Sequence, residues 1–128
     1  NQFPTERQQQ IRVMLADGLK GVISQMLCKK VGGGRVPAME IMVASPSISN
    51  LIREGKTFQI PSIMQSGKKL GMCLMNDSFL DLVKKHLVKP EDAYAKATDK
   101  AGLLAQFRRN GVDTSWAPKD AAAPGLAA

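Results

Sequence analysis

The residue types best able to do chemistry in this sequence are few and scattered. His86 is the single histidine, Cys28 and Cys73 are the two thiols, and their spacing matches no metal-ligand set. A lone imidazole near a helix end reads as a polar cap. Two thiols far apart among apolar neighbours read as reduced and buried, as in a reducing compartment. Gly32-Gly33-Gly34 beside Arg35 has the flexibility of a phosphate cradle. The Gly-x4-Gly-Lys-(Ser/Thr) spacing that presents backbone NH groups and a lysine to phosphates is missing, however, so a turn is expected there. No catalytic, cofactor-binding or metal-binding residue follows from these patterns. What remains is recognition chemistry, carried by the polar side of a short segment at residues 45–56.

That segment must be a helix for its residues to work together. Ser45 is placed to accept a bond from the free NH groups of a first turn, Pro46 suits the first helical position, and Gly55 supplies a left-handed stop. Ile48, Leu51 and Ile52 fall at i, i+3 and i+4 and make a narrow apolar stripe. Ser47, Ser49, Asn50 and Arg53 then face elsewhere, available for hydrogen bonds and ion pairs.

The surrounding elements follow from periodicity and punctuation. From Thr5, apolar residues recur at spacings of three and four through Ile11, Met14, Leu15, Leu19, Val22, Ile23, Met26 and Leu27, which predicts one long helix. Gly18 and Gly21 inside it suggest that something packs closely against that turn. Residues 27–31 and 35–43 read as two strands joined by the three glycines, with Pro37 at an edge or bulge because it cannot donate to a ladder. Helices are expected over 57–67, from a cap at Asn76 or Asp77 with inner face Phe79, Leu80, Val83 and Leu87, from Pro90 through Ala97, and from a cap at Thr98 or Asp99 carrying Leu103, Leu104 and Phe107. Beyond Asn110 the apolar residues look too few to offset ordering, and disorder is expected. The fold class is α+β, mostly α: a long helix and a β-hairpin followed by a bundle of short helices.

Composition bounds the function. With 128 residues and 44% hydrophobic content, one domain or part of one is expected. The net charge of +7 would suit an anionic partner, but the lysines and arginines come as pairs at element ends and the six aromatic residues offer few stacking platforms, so nucleic-acid binding is not expected. No apolar run approaches the roughly 20 residues that span a bilayer. The beginning at Asn1, without a signal peptide, reads as a cytoplasmic fragment.

Residues 47–54, Ser-Ile-Ser-Asn-Leu-Ile-Arg-Glu, resemble the Ala-Ile-Arg-Asn-Leu-(Ile/Leu)-Arg-Glu signature of the type IV pilus retraction ATPases, the PilT or twitching-motility family of secretion ATPases. Ile48, Asn50, Leu51, Ile52, Arg53 and Glu54 match it. Ser47 replaces an alanine, and Ser49 replaces an arginine and so removes a charge. The resemblance continues through Phe3-Pro4 with Gln10-Ile11-Arg12, Gly21 to Gln25, Gly34-Arg35-Val36, Glu40-Ile41-Met42, Gln65-Ser66-Gly67 and Gly71-Met72, covering roughly residues 2–107. Departures are Pro37 where alanine is usual, Leu74 where a capping threonine is usual, and His86 where glycine is usual.

The resemblance implies a cytoplasmic, homo-hexameric motor, peripheral at the inner membrane through pilus-base proteins and driven by ATP with magnesium at a RecA-like core. On this reading residues 1–44 finish that core, residues 45–109 form a C-terminal helical region bearing the retraction signature, and residues 110–128 are a disordered tail. The P-loop, acidic and histidine motifs of the family are absent from the sequence, so these residues are expected to transmit force without hydrolysing ATP. A pilus-extension or type II secretion ATPase, and a free-standing helical adaptor, are the competing readings.

Overall fold

In the computed structural model, which describes residues 2–119, the chain divides into two compact units. One has Glu40–Leu74 together with the chain up to Ser24; the other has Gln25–Met39 together with the chain from Met75 onward. The long hairpin contributes its base to the first and its tip to the second. Strand β1 (Gly21–Lys29) pairs with β2 (Arg35–Val43). The glycines between them have φ of 86°, 113° and 77°, backbone that L side chains rarely adopt.

The first unit begins with α1 (Thr5–Gly18), shorter than the periodicity predicts. Leu19 is already extended, with φ −71° and ψ 129°, and β1 starts at Gly21. The apolar spacing of three and four continues by coincidence, while Gly18 and the β-branched Val22 and Ile23 favour leaving the helix. Close packing is real at one of the two glycines. A Cβ on Gly21 would stand 3.0 Å from the Met42 carbonyl oxygen, whereas Gly18 has nothing near it. Helices α2 (Pro46–Arg53) and α3 (Ile60–Ser66) follow, with single 3-10 turns at Thr57–Gln59 and Gly67–Leu70. Their core gathers Met42, Ile48, Met64 and Met72, flanked by half-buried Leu19, Ile52, Ile60 and Leu74. Ile41 and Cys73 exchange backbone hydrogen bonds of 2.8 and 2.9 Å, so the segment after Gly71 lies along the outer edge of β2. Gly67 is buried, and a Cβ there would meet the Met72 sulfur at 2.7 Å.

The second unit packs α4 (Met75–Lys84), α5 (Pro90–Lys96) and α6 (Lys100–Arg109) with the hairpin tip. Phe79, Leu82 and Val83 are the buried face of α4; Leu82 takes the place expected for Leu80, which is half-buried. Asp99 caps α6 by accepting from the Gly102 amide at 3.0 Å. In β2, Pro37 shares parity with Met39, whose amide donates to Ser78 Oγ at 3.0 Å rather than to β1. The proline therefore sits where no ladder bond is lost.

The segment after Asn110, expected to be disordered, is packed as far as it is described. Val112, Trp116 and Ala117 lie against the core cluster of Phe79, Leu103, Leu104 and Phe107. The Trp116 ring meets Tyr94 edge-on at 5.4 Å, and its indole NH donates to the Asp113 carbonyl at 2.8 Å. A tryptophan can bury about 150–250 Å², enough to hold a short irregular segment that has no periodicity of its own. Residues 120–128 of the expected tail lie outside the described residues.

Candidate functional site

Helix α2 forms as its punctuation predicts. Ser45 Oγ accepts from the Ile48 amide at 3.3 Å, and Pro46 occupies the first turn. At the other end the Lys56 amide reaches the Leu51 carbonyl, the Gly55 amide reaches that of Ile52, and Gly55 has φ 71°, the Schellman stop in which a left-handed residue lets two amides satisfy the last carbonyls. Ile48 is fully buried and Leu51 nearly so. Ser47 and Asn50 are exposed, and Ser49, Ile52 and Arg53 are half-buried.

The polar side of the helix is engaged within the same unit. Arg53 donates from one guanidinium nitrogen to Asn50 Oδ1 and from the other to Asp17 Oδ1 on α1, both at 2.8 Å. Glu54 pairs with Lys56 at 2.9 Å. Arg12, also on α1, lays its guanidinium over Gly55, where a Cβ would come within 3.2 Å of the guanidinium carbon. Two α1 side chains, Arg12 and Asp17, thus hold the end of the signature helix. Sequence reading missed both, because a charge in α1 gives no sign of a partner on a later element; Asp17 and Arg53 stand 36 residues apart. Pairs as exposed as Arg53 and Asp17 contribute about 0–1 kcal/mol to stability, so their role is to fix orientation.

Beside this brace lies a hollow of about 410 Å³, lined by Leu15, Leu19, Val22, Met42, Ile52 and Met64 among others. Its walls are mostly apolar, with Ser24, Glu40 and Thr57 the polar residues among them, and among the described residues no Lys, Arg or His lines it to form an acid–base pair. In the three-glycine turn the Lys30 and Gly33 amides are bonded to the Gly34 and Lys30 carbonyls at 3.0 and 3.2 Å, the pattern of a closed hairpin turn. His86 caps α4 through its backbone, at φ 57°. Cys28 is fully buried, and that burial pushes its thiol pKa up, Lys96 offsetting part of the shift. Among the described residues no three His, Cys, Asp or Glu side chains gather as a metal site would require.

No family model matches the sequence. The type IV pilus retraction ATPase PilT of Pseudomonas aeruginosa is 48% identical over 95 residues, which are 74% of this chain and 28% of that protein. A twitching motility protein of Neisseria gonorrhoeae is 41% identical over 102 residues, 79% of this chain and 27% of its own length. The crystal structure of the pilus retraction motor PilT with bound ADP superposes with a TM-score of 0.72 at 39% identity, over 81% of this chain and 29% of that one. The chain therefore spans between a quarter and a third of the length of these relatives. Over the stretch it shares with them, it belongs to the PilT family of type IV pilus retraction ATPases.

Proposed function

We propose that these residues are the force-transmitting C-terminal region of a hexameric, ATP-driven motor that retracts type IV pili at the cytoplasmic face of the inner membrane, through contacts with pilus-base proteins and neighbouring subunits. The observation that carries this reading is the brace on the signature helix. A motor moves one rigid body against another, and α2 is fixed to α1 by Arg53, Asp17 and the guanidinium of Arg12. Ser47, Ser49 and Asn50 keep their places on the polar side of that rigid pair, as a contact surface. ATP with magnesium is the fuel of the whole motor. The sequence lacks the Gly-x4-Gly-Lys-(Ser/Thr) spacing of a nucleotide pocket, and no nucleotide step is assigned to these residues.

The test uses the full-length motor. Arg53→Ala lowers pilus retraction more than ATP turnover, and exchanging the charges, Arg53→Asp with Asp17→Arg, restores part of the loss. Equal loss of both activities would overturn force transmission in favour of an assembly role. Failure of the exchange, with the hexamer intact, would instead assign Arg53 to a partner outside the chain.

A further inference from the structure

We propose that a groove in the second unit, running from the hairpin tip past the α4–α5 connection, binds an extended acidic peptide segment of a partner protein. Two hollows make it. One, about 600 Å³, is lined by Val31, Val83, Val88, Val112, Lys84 and Lys89 among others. The second, about 230 Å³, is lined by Lys29, Lys30, Gly32, Gly33 and Asp92 and shares Val31 and Lys89 with the first. The shared residues make the two hollows neighbours, so an extended chain can reach both where a compact anion would fill one.

The lining is net positive. Lys29, Lys30, Lys84 and Lys89 face the groove against Asp92 and Asp113. None of these lysines has a carboxylate within ion-pair distance among the described residues; Lys84 donates to the neutral Asn110 amide oxygen at 2.7 Å. Asp113 has both carboxylate oxygens taken at 2.9 Å by the Ser115 amide and hydroxyl. Cations above an apolar floor select an anionic segment that carries an apolar side chain.

The groove is also held in shape. The Val31 amide donates to the Leu87 carbonyl at 2.8 Å, tying the tip to the connection. His86 lines the larger hollow from a left-handed backbone, φ 57°. That conformation is the stop of α4, closed by the His86 amide on the Val83 carbonyl and the Leu87 amide on the Leu82 carbonyl, and it fixes the wall of the hollow at this point. The valines lie in concave walls, where a bilayer-binding patch projects, and among the described residues no Phe, Tyr or Trp ring lines either hollow as a stacking platform for nucleic acid.

Fluorescence anisotropy with the full chain and a labelled, blocked Glu-Asp-Leu-Glu-Asp peptide tests this. Saturable binding is expected, weakened at least about tenfold by Lys30→Glu with Lys89→Glu and about threefold by Val31→Ser, while Lys20→Glu with Lys69→Glu changes it less than about twofold. Circular dichroism checks folding, and Lys30→Gln with Lys89→Gln replaces the reversal if that variant unfolds. Equal weakening by the control pair would reduce the binding to net charge and overturn the groove. So would absence of saturation, or binding of phosphatidylglycerol vesicles or a single-stranded oligonucleotide through the same lysines without binding of the peptide.

Discussion

The two units spend their apolar residues differently. In the second, Phe79, Phe107, Leu103, Leu104 and Val88 are enclosed, and α4, the proline-started α5 and the Asp99-capped α6 converge on them. In the first, Ile48 is the one large side chain so enclosed among the described residues. Around it cluster Met42, Met64 and Met72, flexible side chains that fill irregular space, with Leu51 and Ala16 the other buried hydrophobic residues described there. Meanwhile Met14, Ile23 and Phe58 stand 65%, 69% and 76% exposed. The second unit draws its stability from enclosed aromatic and branched side chains, and only at its margin do Val83 and Val88 also line a hollow. The first, which carries the signature helix, is built as a braced surface beside an open hollow.

Truncating one core residue in each unit tests that contrast most sharply. Phe107→Ala leaves an enclosed void and costs about 3–5 kcal/mol. Met64→Ala only enlarges a hollow that is already open, so its cost sits near the lower end of the methionine range, about 2 kcal/mol. Urea midpoints at constant slope measure both. Equal costs would break the comparison, because they would place Met64 in an interior as tight as that of Phe107.

Legibility in the sequence followed the same division between local and distant causes. Helix α2 was readable to within a residue because Ser45, Pro46 and Gly55 act on their own neighbours. The Pro90 and Asp99 starts were readable for the same reason. The end of α1 was hidden: Val22, Ile23, Met26 and Leu27 keep a helical spacing while lying on β1, and of that strand only Met26 and Cys28 turn inward. Nothing local marks Trp116 as packed, since its partner Tyr94 lies on another element. The Arg53–Asp17 brace was equally silent, being a meeting of two surface charges. The signature's candidate residues were legible as a face, and what holds that face was not.

Helix stops give a smaller and more local contrast between the units. Helix α2 ends on Gly55 and α4 on His86, in the same hydrogen-bond pattern: Lys56 to Leu51 with Gly55 to Ile52, and Leu87 to Leu82 with His86 to Val83. Their φ angles are 71° and 57°. Gly55→Ala strains the backbone and presses on Arg12, costing roughly 1–2 kcal/mol, whereas His86→Gly relieves strain and gains about 1 kcal/mol. Thermal unfolding of both variants reads the opposite signs. A destabilised His86→Gly would show that the imidazole makes interactions outweighing its strain, and would sharpen the case for the groove it lines.

The smallest effect bears most directly on whether the second unit is sealed. Cys28 is fully buried there, and desolvation raises its thiol pKa above the ordinary 9.0, with Lys96 pulling it back in part and Asp92 adding to the rise. In the unfolded chain the thiol ionises near 9.0, while in the folded chain it keeps its proton to higher pH. Over that window the unfolded state binds fewer protons, so stability is fully present below pH 9.0 and falls as pH rises toward the folded pKa. Other groups titrate in this range, so the measurement is the difference between the natural chain and Cys28→Ala, taken as urea midpoints on either side of pH 9.0. The alanine variant loses some stability at neutral pH through the void it leaves, and the gap between the two proteins narrows as pH rises. A gap that stays constant would mean the Cys28 thiolate is solvated in the folded chain, and an interior that admits water to Cys28 is no tighter than the methionine cluster of the first unit.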